Sequence, residues 1–303
     1  MMSTSFWRFS ATVAACTFVW GHTIKSSQAS DITFAVIGPH EYDLPVDFKT
    51  PFNVLVQYGD GNAAGEHYNS KGNRHGGNGA HTWAGMSKYV HFWTFDSIPH
   101  VGFAYEVIQG ESYTLANGKN YGGLGGTITG PAVWFKPNKK STFGIQVFMQ
   151  TPTGTRQNIA PNYWSALTSF MFDYEWDHFS FDGDLGAVSA STKHIKGEHS
   201  YHPGTVFHSN LRFSWKASKE WEPFLALDWQ NGAGLYDNTL NHYIRDTNTR
   251  EVALGVGLMW NISPQFNLTA RYSHSVEGRN IPETDAYYLK FVYLWDGAIF
   301  SHY

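Results

Sequence analysis

The sequence contains no uninterrupted apolar run approaching the ~20 residues that a membrane-spanning helix requires. That excludes helical insertion. Backbone amides cannot go unpaired in hydrocarbon, so such a chain crosses a membrane only as a closed sheet. Charge is also scarce: Asp, Glu, Lys and Arg make up 15% of 303 residues, against about a quarter in a water-soluble domain. No basic tract accompanies the formal net charge of -4, which removes the electrostatic footprint of a nucleic-acid partner. Cysteine is nearly missing. Cys16 is the only one, and it lies in a leader, so the exported chain is expected to hold neither thiol nor disulfide.

That leader starts with Arg8, continues through the short apolar stretch Phe9 to Gly21, and ends in small and polar residues at Ser27-Gln28-Ala29. The pattern is that of a secretory signal peptide over residues 1–29, with 30–303 as one exported domain. Val13-Ala14-Ala15-Cys16 resembles a lipoprotein cleavage box, but too little apolar sequence precedes Cys16 to favour it.

What is abundant is aromatic: 12 Trp, 17 Tyr and 22 Phe, or 17% of the chain. From Phe52 onward the dominant periodicity is two, which sends alternate side chains to opposite faces of a strand. Val252, Leu254, Val256, Leu258 and Trp260 share one face, and Glu251, Ala253, Gly255, Gly257 and Met259 the other. Phe207, Leu211, Phe213 and Trp215 likewise oppose His208, Asn210 and Arg212. About twelve such segments are expected, each near the ~10 residues of a tilted barrel strand. Short links at Ser97 to His100, Pro137 to Lys140, Glu175 to His178, Ala217 to Glu220 and Ser263 to Gln265 alternate with long ones. The long ones are placed at Asp60 to Ala80, Gln109 to Gly123, Thr151 to Asn162, Ser191 to Pro203, Asn231 to Thr249 and Ser275 to Thr284.

Short turns on one rim and long loops on the other, with Tyr and Trp near strand ends, are the marks of an all-β, antiparallel transmembrane barrel of about 12 strands. The expected location is the outer membrane of a Gram-negative bacterium, reached after removal of the leader, with outer-membrane lipid against the wall. Asp31 to Pro51 precedes the first strand and carries Pro39, Pro45 and Pro51, which discourage sheet pairing. It is either a plug or a periplasmic tail.

Three stretches resemble the outer-membrane family named for the meta-pathway of phenol degradation. They are Gly123-Leu124-Gly125-Gly126 leading to Gly130-Pro131; Pro152-Thr153-Gly154; and Tyr201-His202-Pro203-Gly204 with His208, followed by Trp221-Glu222 and Gln230. The family often has an acidic residue after Gly-Leu-Gly, where this chain has Gly126, so no role of that carboxylate carries over. The resemblance implies a transporter-like barrel that moves hydrophobic or aromatic compounds across the outer membrane.

Parity assigns to the interior Glu106, Gln146, Asp173, Glu175, Asp182, Asp184, His208, Arg212, Glu222, Asp228, Glu251, Arg271 and Lys290. The aromatic candidates Phe148 and Phe224 join them and offer stacking surfaces for an aromatic solute. So many charges do not tolerate a packed apolar core. They either line a polar path or brace it, and for any single residue the brace is the favoured reading. Asp173, Glu175, Asp182 and Asp184 are expected to cluster; cross-lumen pairing with Arg212 is favoured there over a bound cation.

His67, His75 and His81 fit no compact ligand spacing and are read as part of a mobile loop. The expectation is passive uptake of small hydrophobic or aromatic solutes, with no enzyme activity, cofactor or metal. Oligomeric state stays open. The alternatives are a closed structural barrel that binds through its loops and, less favoured, a lipid hydrolase. For the hydrolase, His208-Ser209 and His274-Ser275 point to opposite faces, and His178-Phe179-Ser180 sits at a turn.

Overall fold

The computed structural model describes residues 37–44, 52–116, 119–155, 163–192 and 200–296. The leader and its cleavage site, most of the 31–51 segment and residues 297–303 lie outside them. The strands are β1 (Phe52–Tyr68), β2 (Arg74–Thr94), β3 (Val101–Ala116), β4 (Lys119–Asn138), β5 (Ser141–Gln150), β6 (Ser165–Glu175) and β7 (Phe179–Ala190). They continue as β8 (Tyr201–His202), β9 (Val206–Trp215), β10 (Trp221–Gly232), β11 (Tyr236–Asp237), β12 (His242–Tyr243), β13 (Thr249–Ser263), β14 (Phe266–Arg279) and β15 (Ile281–Asp296).

Twelve of these close an antiparallel barrel in which β1 pairs with both β2 and β15. Closure leaves each of the twelve strands with a neighbour on both sides, so the ladder groups of the wall pair with one another. The three short strands β8, β11 and β12 form a separate small sheet. It ties the β7–β9 connection to the β10–β13 connection at the loop rim, through Tyr236 opposite His202 and Tyr243.

Alternation dictates the wall. On β6, Ser165, Leu167, Ser169, Met171 and Asp173 are buried, whereas Ala166, Thr168, Phe170 and Tyr174 are exposed. The same parity puts Val133, Phe135, Ile145, Val147, Leu185, Phe207, Phe213, Leu225, Leu254, Val256 and Leu289 on the outer surface. Such a continuous apolar band far exceeds the patches a dissolved monomer exposes, and hydrocarbon is the medium that suits it. Aromatic rings gather near the turn rim, where Trp221 stacks on Trp260 at 5.2 Å and Tyr174 meets Trp176 edge-on at 4.6 Å. That is the place of an interfacial girdle.

The short turns fall where the spacing predicts them. Three of the long loops do not. β1 and β2 stay paired as far as Tyr68 opposite Arg74, β3 and β4 as far as Ala116 opposite Lys119, and only Asn280 separates β14 from β15. Glycine and histidine in these stretches do not interrupt a ladder whose hydrogen bonds come from the backbone. His67 and His75 are thus cross-strand neighbours in a hairpin and not points on a loop. The hairpin ends where the Asn69 side chain accepts from the amides of Lys71 (2.8 Å) and Asn73 (3.0 Å), with Gly72 at φ 78°.

Candidate functional site

The barrel interior holds two buried apolar clusters and a set of polar cross-links. At the loop end, Phe148, Leu167, Val188 and Val206 form a buried apolar cluster, with Ile108 and Ile128 against it. Toward the turn end a second cluster contains Val54, Val56, Val90, Phe92, Ala104, Ala132, Trp134 and Met171. Strand β6 carries Leu167 of the first and Met171 of the second on the same face, four residues apart, with the buried Ser169 between them. Phe92 meets Trp134 edge-on at 5.4 Å. Gly102 makes room for that indole: a Cβ there would stand 2.3 Å from the ring.

The inward polar groups are cross-linked. Asp228 accepts from Arg212 at 2.8 Å and from Arg271 at 3.1 Å, and Arg271 also lies 4.0 Å over the Tyr288 ring. Asp184 accepts from Asn210 at 2.8 Å, with His208 3.6 Å from its other oxygen. Glu251 accepts from Gln230 at 2.9 Å and from Ser275 at 2.5 Å, and Glu106 pairs with Lys88 at 2.8 Å. Charged hydrogen bonds of this kind are what a desolvated interior demands.

Residues 37–44, which precede the barrel, enter it at the turn end. Ile37 and Tyr42 belong to the second apolar cluster and Leu44 packs on it. Arg212 donates through Nε to the Ile37 carbonyl at 2.7 Å. Glu41 pairs with Lys290, and Asp43 with Lys136. His40 has a left-handed backbone, φ 56°, at the tip of a tight turn, where Asp43 N–H bonds back to its carbonyl at 3.2 Å.

From that tip the His40 ring reaches three wall carboxylates. Nε2 is 2.7 Å from Glu222 Oε1, while Nδ1 is 3.5 Å from Asp173 Oδ2 and 3.4 Å from Glu175 Oε1. Burial opposes charge on this imidazole, but Asp173, Glu175 and Glu222 outweigh it and raise the His40 pKa well above its ordinary value.

All fifteen residues assigned inward by parity lie on the inner face. Glu106, Phe148, Asp173, Asp182, Asp184, His208, Arg212, Glu222, Phe224, Asp228, Glu251, Arg271 and Lys290 are buried, and Gln146 and Glu175 partly so. The expected cluster of four carboxylates is split. Asp173 and Asp182 face one another in the ladder, and Asp173 and Glu175 turn to His40, but Asp184 is held by Asn210. Arg212 neighbours Asp182 in register yet makes its short ion pair with Asp228.

The sequence reading passes over His40, Glu41, Asp43, Lys88, Lys136 and Trp134. Trp134 was available from parity, since it alternates with Val133 and Phe135. The three residues before the barrel carry no periodic signal.

The family model described as Putative MetA-pathway of phenol degradation matches residues 59–291. No curated protein matches the sequence. Among solved structures, the chain is similar to an outer membrane channel from Pseudomonas putida F1, with TM-score 0.74 and 12% identity over 86% of this chain and 100% of that one. Weaker likenesses include the NanC porin, with TM-score 0.46 and 10% identity over 79% of this chain and 98% of that one. Another is the CymD monoaromatic hydrocarbon channel, with TM-score 0.46 and 8% identity over 82% and 89% of the two chains. The fold is that of an outer-membrane barrel.

Proposed function

The chain belongs to the family of the Putative MetA-pathway of phenol degradation, and from that premise we propose that it is an outer-membrane channel for passive uptake of small apolar, chiefly aromatic, compounds. The observation that carries this reading is the pair of buried apolar clusters, Phe148 and Leu167 at the loop end and Met171, Trp134 and Phe92 toward the turn end, which we read as one inner track. A sugar or ion pore needs polar groups along its whole bore. Here many of the charged groups are paired with one another, and beside them lie buried apolar clusters whose rings offer stacking surface to a solute that enters between them.

The wall supports the same conclusion: its apolar band places the barrel in lipid, where hydrophobic solutes concentrate. Phenol-like chemistry, named in the family's description, fits a track that has aromatic surface and polar atoms close by.

Planar-bilayer recording tests it. The native barrel should pass a small ion current that falls when phenol or toluene is added, because the solute occupies the track. Phe148→Asp should weaken that block by placing a charge in the loop-end cluster, while the current itself persists. A native barrel whose current ignores both solutes would sink the aromatic reading, and absence of any current would favour the closed structural barrel.

A further inference from the structure

We propose that His40, Asp173 and Glu175 bind one divalent transition-metal ion of the Zn(II) type, with Glu222 as the group that orients His40. Among the described residues these three form the metal-ligating group whose donor atoms all lie within 4.8 Å of one another.

The His40 contacts to Asp173 and Glu175 are ion pairs whose spacing also suits a metal ion between the groups. The His40 Nδ1 distances of 3.4 and 3.5 Å are longer than hydrogen bonds, which run about 2.7–3.2 Å. Zinc bonds of about 2.0–2.2 Å at a tetrahedral angle set neighbouring ligands roughly 3.4 Å apart. The spacing is therefore that of two edges of a coordination polyhedron.

An independent observation concerns Asp173. It is 1% exposed, and neither carboxylate oxygen has a hydrogen-bond partner; His40 Nδ1 has none either. A buried carboxylate whose imidazole partner stands 3.5 Å away is only partly compensated, and a metal ion between the two groups satisfies both. Glu175 brings Oε1 to the same point while its Oε2 is held by Lys216 at 2.8 Å.

The other side of the ring completes the arrangement. Glu222 Oε1 at 2.7 Å from Nε2 accepts that N–H, which orients the ring so that Nδ1 faces the two carboxylates and binds the ion once its proton is displaced. Carboxylate, histidine and metal in a row is the usual support of a ligating imidazole. Glu222 is itself held by the Ser214 hydroxyl. A nitrogen donor with two carboxylates selects a transition metal over calcium or magnesium, which take oxygen ligands. With three protein ligands a fourth position is left for water. Because His40 comes from the segment inside the barrel and the carboxylates from β6, the ion fastens that segment to the wall.

The proposal is independent of what the barrel conducts, since binding is measured on the purified chain without transport. The exported chain in detergent is stripped with EDTA and titrated with Zn(II) by calorimetry, and Co(II) serves as an absorption probe. One Zn(II) per chain is expected, with the stronger visible bands of low-coordinate Co(II). His40→Ala and Asp173→Asn should each abolish that binding, and Glu222→Gln should weaken it roughly 10- to 100-fold. Folding of each variant is checked by heat-modifiable migration; where His40→Ala does not fold, Asp173→Asn decides. Native and variant chains that bind Zn(II) equally, as they would if the exposed His67 and His75 held it, overturn the proposal. So does a native chain that binds none at micromolar concentration.

Discussion

At the scale of single residues, the interior is governed by the cost of leaving a charge without its partner. Asp228 is 1% exposed and serves two guanidinium groups. Asp228→Ala is therefore expected to lower stability by about 3–5 kcal/mol, the range for breaking a buried pair by removing one side. Urea unfolding in detergent micelles reads this directly, and an unchanged midpoint would mean that water reaches the site. Lys140 and Asp177, at 2.9 Å between two exposed turns, provide the control: Lys140→Ala should leave the midpoint where it is, since exposed pairs contribute little. Parity alone identified Asp228, Arg212 and Arg271 as inward residues. It did not pair them, because Asp182 is the ladder neighbour of Arg212 and the bond goes elsewhere. Partner choice depends on how side chains of three strands meet across a curved interior, and that information is not carried by a period of two.

Among the elements, the short segment 37–44 makes contacts on many strands of the wall. It contributes Ile37 and Tyr42 to an apolar cluster, charges to Lys290 and Lys136, and His40 to three carboxylates. Its removal should raise single-channel conductance, because these side chains occupy the turn end of the bore. Recording on a chain lacking residues 37–44, with folding confirmed by heat-modifiable migration, checks this; equal conductance would show that the constriction lies elsewhere. The sequence marked the surrounding stretch through Pro39, Pro45 and Pro51 as unfit for a sheet, which left plug and tail equally open. What decides between them is complementarity with a cavity made by strands far along the chain. The hairpins pose the opposite difficulty. Asp60 to Ala80 is rich in glycine and polar residues and so looks like a loop, yet β1 and β2 remain paired to Tyr68 and Arg74. Residue preference is a weak guide where a ladder already started by neighbouring strands needs only backbone groups to continue.

For the molecule as a whole, the claim that matters is that its two surfaces are exchanged relative to a dissolved protein: apolar side chains outside, hydrogen-bonded charges within. This was the most legible property of the sequence, because one-residue alternation converts directly into inner and outer faces once the sheet closes. Val256 tests it. It lies midway along β13, 55% exposed, between the exposed Leu254 and Leu258. On a dissolved sandwich, Val256→Arg at such an exposed position would be harmless or would improve solubility. On a barrel wall it places a cation near the bilayer midplane, at a cost of about 2–4 kcal/mol. The expected outcome is a lower yield of folded barrel in lipid vesicles and an unfolding midpoint shifted to lower urea, while Gln265→Arg, exposed in a turn, leaves both unchanged. Equal behaviour of the two variants would place Val256 in water, and with it the whole outer face on which residence in the membrane depends.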